Sequence, residues 1–136
     1  MKRFFIWLWQ LPQHIVGLIG IKITRAYKVE ERNDKGWYAE YWCYDCKSRM
    51  GGAHGQYILM PCDKYFANAR AYQQFRDHEY GHVRQSNWLG VLYYPVVGLF
   101  SKITFWMVRW GWITREQRMN MFPEKQADRL GGVTRR

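Results

Sequence analysis

Within the six residues Asp77-His78-Glu79-Tyr80-Gly81-His82, two histidines stand four apart and a glutamate directly follows the first. That spacing serves a common purpose only on a helix. There, residues i and i+4 lie one above the other, so both imidazoles can reach one ion at about 2.0–2.1 Å. Glu79 is then aimed beside the ion, at a water that zinc would acidify towards a pKa of about 7, and its carboxylate can take the proton and pass it to a leaving amine. The segment is therefore read as helical, with His78 and His82 as metal ligands and Glu79 as general base.

A hydrolytic zinc site needs a third protein ligand and an open fourth position. Glu124-Lys125-Gln126-Ala127-Asp128 supplies an acid in a first helical turn and a second acid one turn later on the same face. Glu124 is the candidate third ligand. Asp128 is placed to accept a hydrogen bond from a ligand imidazole and fix its tautomer. A donor for a developing oxyanion is also required, and Tyr93 and Tyr94 are the candidates.

The pattern around the motif gives a helix, small sheet, helices order in a single domain, residues 1–136, of α+β class. An opening helix should break or restart around Pro12. Lys22 to Tyr44 reads as two strands joined at Asn33-Asp34-Lys35-Gly36, and GQYILM as a third strand ended by Pro61 after the Gly-rich break at Met50-Gly51-Gly52-Ala53. Apolar residues at spacings of three and four predict a long helix from Lys64 to about Asn87. Leu89 to Trp110 should form one or two apolar helices, with Pro95 and Gly98 as breaks. Thr114 with Gln117 resembles a capping box, and Pro123 starts a last helix ended by Gly131-Gly132.

HEYGHVRQSNWLG, followed after an apolar stretch by PEKQADRLGG, resembles the glutamate-zincins in their smallest form, the minigluzincin-like metallopeptidases of bacteria and their phages. WLWQLPQHIVGLI and GGAHGQYILM are also similar to the parts that precede the metal helix in such proteins. The resemblance implies a compact zincin-like fold with a mainly antiparallel sheet, one catalytic zinc held by His78, His82 and Glu124, Glu79 as base and Asp128 as support. It also implies a peptide or protein substrate paired to a strand edge, the matching segment being Gln56 to Met60. Val91-Leu92-Tyr93-Tyr94 departs from the Gly-Pro-Leu-Tyr-like segment typical of the group, as does Phe100 near an expected proline.

Cys43, Cys46, His54 and Cys62 could supply a second, structural zinc; the alternative is that the cysteines pack as small apolar residues. Three cysteines do not close a disulfide framework, so reduced thiols and a cytoplasmic setting are expected. Net charge is +10, from 21 Lys and Arg against 11 Asp and Glu, which attracts anions, but the charge is dispersed and no helix-turn-helix or RNA-binding signature accompanies it. Nucleic acid is not the expected partner. Aromatic residues make up 18% of the chain, more than a core of this size needs. MKRFFIWLW and FWMVRWGW set basic residues beside tryptophan-rich runs, as peripheral membrane segments do, although Gln10, Pro12, Gln13 and His14 interrupt the first run short of the about 20 apolar residues of a span. The reading from these features is a zinc-dependent peptidase. The alternatives are a non-catalytic, zinc-stabilised binding protein for membrane or nucleic acid, and a hydrolase of peptidoglycan amides. Oligomeric state is not legible.

Overall fold

A computed structural model describes residues 2–32, 38–42 and 51–135. Helix α1 (Lys2–Trp9) and helix α2 (Leu11–Thr24) meet at a bend of 84° at Gln10, with Pro12 in the first turn of α2, where its missing N–H is no loss. Strands β1 (Tyr27–Arg32), β2 (Tyr38–Trp42), β3 (Gly52–His54) and β4 (Tyr57–Met60) follow. Residues 33–37, where the turn between the first two strands is expected, lie outside the described residues.

The sheet is mixed, with two of its three strand pairings antiparallel. Its order is β1-β2-β4-β3, with β1/β2 and β3/β4 antiparallel and β2/β4 parallel. The chain passes from β2 to the far edge, forms β3, and returns through the turn at Gly55 to lay β4 against β2. This corrects the expected docking edge. GQYILM becomes the interior strand β4, with Ile58, Leu59 and Met60 buried, and the edge is β3. Gly52-Ala53-His54 carries no β-branched residue, so nothing in its composition distinguishes it from a loop.

The long helix α3 (Ala69–Leu89) begins later than expected because Asn68 caps it, accepting a hydrogen bond from the Ala71 N–H at 2.9 Å. Tyr80 and Val83 of α3 join Tyr38, Ala53, Ile58 and Met60 in the core, so the sheet packs on the helix that carries the motif. Beyond α3 the chain runs through short turns, Gly90–Leu92 and the wider π-type turn Tyr94–Gly98, into α4 (Leu99–Arg109). Pro95 and Gly98 widen the helical path there without ending it. Helix α5 (Arg115–Met119) starts with the capping box: Gln117 N–H donates to Thr114 Oγ1 and Thr114 N–H to Gln117 Oε1. Helix α6 (Glu124–Gly131) ends at Gly132 in the left-handed conformation.

Helices α3 and α6 touch backbone to backbone, and two glycines make that possible. A Cβ on Gly81 would lie 1.9 Å from the Ala127 carbonyl oxygen, and one on Gly131 would lie 1.8 Å from that of Asp77. No single described helix is long and apolar enough to cross a membrane.

Candidate metal centre

The close approach of α3 and α6 brings together the residues that the sequence places far apart. His78 Nε2 lies 3.1 Å from Glu124 Oε2, and His82 Nε2 lies 3.4 Å from the same oxygen. All three residues are buried, and their ligand atoms fall within 4.8 Å of one another, the one such His, Cys, Asp and Glu group among the described residues. His78, His82 and Glu124 thus form a cluster that can hold a metal ion.

Each ligand is held from behind. His78 donates from Nδ1 to Asp128 Oδ1 at 2.7 Å, and Arg135 donates to both oxygens of Asp128. His82 donates from Nδ1 to Gln85 Oε1 at 2.7 Å. The Gln85 amide is itself oriented by donating to the Pro123 carbonyl at 3.0 Å and to Gln126 Oε1 at 2.9 Å. With Nδ1 occupied in this way, Nε2 is the ring nitrogen each histidine turns towards Glu124, and loss of its proton would leave that lone pair for an ion. On Glu124, Oε1 accepts from Ser101 Oγ at 2.6 Å and from Arg118 at 2.7 Å, leaving Oε2 to face the histidines.

The buried groups of the cluster stabilise one another's charged forms. Burial disfavours a charged His78, yet its hydrogen bonds to Asp128 and Glu124 outweigh that and raise its pKa from 6.5 to about 9. Burial alone would raise the Glu124 carboxyl, but hydrogen bonds from His78, His82 and Ser101 hold it well below the ordinary carboxylate range. Asp128 is likewise lowered, burial being outweighed by hydrogen bonds from His78 and Arg135. Two imidazoles and one carboxylate, each oriented by a further partner, fit the donor set of a three-ligand zinc site.

A cleft of about 780 Å³ opens over this cluster, lined by Gly51 to His54 of the β3 edge, Glu79, Tyr93, Tyr94 and one side of α4. Glu79 is buried within it. A Cβ on Gly52 would stand 3.9 Å from both Glu79 Oε2 and His54 Nε2, so the strand beside the carboxylate is bare backbone. Tyr93 is buried and packs edge-on to His82, with ring centroids 6.5 Å apart, and burial pushes its pKa well above 10. Tyr94 Oη lies 2.8 Å from His54 Nδ1, and burial pushes the phenol up to about 12. Burial also lowers His54 below 6.5, with Glu79 partly offsetting it. A neutral His54 and a neutral Tyr94 share one hydrogen bond in either tautomer. That leaves one further N–H or O–H donor on the pair.

These positions take His54 and Cys62 out of the possible second zinc site. His54 turns to Tyr94 and the cleft, and Cys62 is disulfide-bonded, so it has no free thiolate for a metal and is not the reduced thiol expected. Cys43 and Cys46 lie outside the described residues. His14, which interrupts the first apolar run, is fully buried.

Several contributors escaped the sequence reading. Gln85, which the motif spacing does not single out, is 1% exposed and fixes His82. Ser101 comes from α4, Arg118 from α5 and Arg135 from the segment after α6, and no spacing links them to the motif. No family model, no curated protein and no solved structure matches the chain, so the site is read from its own geometry.

Proposed function

We propose that this protein is a zinc-dependent peptidase of the minigluzincin-like kind. One observation carries the reading: the Nε2 atoms of His78 and His82 and the free oxygen of Glu124 converge in a buried cluster at the floor of a cleft that also holds Glu79. Zinc held by the three residues would polarise a carbonyl and acidify water near neutral pH.

The chain's own residues supply the rest. Edge strand β3 offers unpaired backbone on the cleft side, to which an extended peptide can add as a further strand. Its bare Gly52 lets that peptide approach Glu79. Glu79 takes the proton of the attacking water and returns it to the departing amine nitrogen, the task of a carboxylate placed beside both. The His54–Tyr94 pair has one donor hydrogen left for the oxygen that gains negative charge as the carbonyl carbon becomes tetrahedral. Asp128 and Gln85 keep the imidazoles from rotating.

The test is metal analysis of the purified chain together with cleavage of an unstructured protein such as casein. About one zinc per chain, lost in His78→Ala and Glu124→Ala, with cleavage abolished in Glu79→Gln while zinc is retained, supports the reading. Full cleavage by Glu79→Gln, or a wild-type chain that takes up no zinc, overturns it.

A further inference from the structure

Helix α2 is built inside out for a protein in water. The residues it buries are Gln13, His14, Gly17, Gly20 and Thr24, whereas Ile15, Val16, Ile19 and Ile23 are exposed, Ile23 by 70%. An amphipathic helix on an aqueous surface does the reverse. Helix α1 buries no residue, and α4 buries only Thr104 while showing Leu99, Ile103, Trp106 and Trp110 as one outward stripe at four-, three- and four-residue steps. Small and polar residues at the helix contact with apolar ones outside is how helices pack where the surroundings are lipid.

The inward polar atoms are matched apart from Gln13 Oε1, which is buried without a hydrogen-bond partner. Gln10 donates to Asn87 Oδ1 at 2.7 Å and accepts from Ser86 Oγ at 2.6 Å, and Gln13 donates to the Gly90 carbonyl. The same seam joins the two apolar regions, because the Trp9 indole lies where a Cβ on Gly90 would be, 2.0 Å from its nearest atom. The exposed apolar residues of α1, α2, the 90–98 turns and α4 thus form a connected surface, far larger than the scattered exposure of a water-borne protein.

Charge selects the occupant. Residues 1–29 hold five Lys or Arg, residues 80–115 hold four, and neither stretch contains an Asp or Glu. A second copy would bring the same positive charge against itself. Nucleic acid would match the charge but not Ile15, Ile19 and Ile23, which cannot stack on bases. Aliphatic residues, clustered tryptophans and lysines or arginines together match the boundary between acyl chains and anionic headgroups.

We propose that α1, α2, the 90–98 turns and α4 dock this protein on the surface of an anionic phospholipid bilayer without crossing it. Helix α4 also contributes Ser101 and Lys102 to the cleft. On the peptidase reading, which this clause alone rests on, the substrate is a peptide segment lying at the membrane.

The test floats the full-length Glu79→Gln chain, with and without zinc, on vesicles of phosphatidylcholine and phosphatidylglycerol and on phosphatidylcholine alone. Neither metal nor turnover enters that readout, so its failure is separate from failure of the peptidase reading. Flotation is expected on the anionic vesicles and weakened by salt. Brominated acyl chains in them should quench tryptophan fluorescence, which requires no variant. Trp106→Ser with Trp110→Ser, both at exposed positions, should lower binding at least ten-fold, and Lys22→Glu with Arg109→Glu by about five-fold per charge lost. Absence of flotation overturns the proposal, as does equal binding to neutral vesicles. So does a stable dimer that the tryptophan variants dissociate, or capture of a DNA oligonucleotide in place of vesicles.

Discussion

The Nδ1 of His82 lies 2.7 Å from the side-chain oxygen of Gln85, three residues further along the same helix, and the Gln85 amide reaches on to the Pro123 carbonyl at the entrance of α6. One side chain thus orients a ligand on α3 and ties down the end of α6 that carries Glu124. Gln85→Leu keeps the volume but removes the acceptor and both donated hydrogen bonds. Zinc affinity should fall about 10- to 100-fold, the usual consequence of losing such a partner, with the helical circular dichroism signal retained. Competition with a zinc chelator measures it, and unchanged affinity would deny Gln85 this role.

Gly81→Ala separates local preference from tertiary fit. In an isolated helix alanine is favoured over glycine by about 1 kcal/mol, so a freely exposed Gly81 would gain stability from the change. Here the new Cβ meets the Ala127 carbonyl at 1.9 Å, and backbone on a packed helix does not yield cheaply. The expected outcome is net destabilisation of roughly 1–3 kcal/mol, read by denaturant unfolding, with weaker zinc binding because α6 carries Glu124 away from the histidines.

These two positions show where legibility ends. His78, Glu79 and His82 could be placed from sequence because their geometry is that of one helix, and Glu124 with Asp128 because theirs is that of another. What joins the two helices is a tertiary contact. Gly81 hinted at it only as a helix residue of poor propensity. Gln85 lies one turn past His82 and one residue from exposed Arg84, so only the arrival of α6 tells which of them is covered. The β3 edge was hidden because Gly52 and Ala53 have no strand signature, and with it the destination of His54. Beside the cysteines His54 is only a possible metal ligand by sequence, and the fold turns it to the cleft instead.

The buried His14 makes a pH prediction. Its Nδ1–H donates to the Trp7 carbonyl at 2.9 Å and its Nε2 accepts from the Gln56 N–H at 3.0 Å, so a second ring proton would face a donor. Burial lowers its pKa below 6.5, the Trp7 bond partly offsetting this. The unfolded chain therefore takes up the proton first. The stabilisation is complete above pH 6.5 and is lost as pH falls towards the folded-state value. His54, also lowered, adds to the same slope. Thermal unfolding followed from pH 7 to 5 should show a falling midpoint in wild type and a shallower fall in His14→Gln, whose amide can still donate to Trp7 and accept from Gln56. Equal slopes would mean that His14 is not a source of the dependence.

The His54–Tyr94 pair yields the prediction that bears most on chemistry. Neither residue touches the ligand cluster, so neither should be needed for zinc, yet both line the cleft above it. A donor used only as charge develops on the carbonyl oxygen affects turnover rather than substrate binding. Tyr94→Phe and His54→Phe should each lower kcat by about 10²- to 10³-fold, the usual effect of losing one oxyanion donor, with KM and zinc content little changed. Because the two share a hydrogen bond, the double variant should lose far less than the product of the single losses. A merely structural pair behaves otherwise: its loss would lower the unfolding midpoint and leave the turnover of the remaining folded enzyme intact. Steady-state kinetics beside a thermal melt on the same preparations separates the two, and His54→Gln, which keeps an N–H, should recover part of the rate only if donation is what the cleft requires.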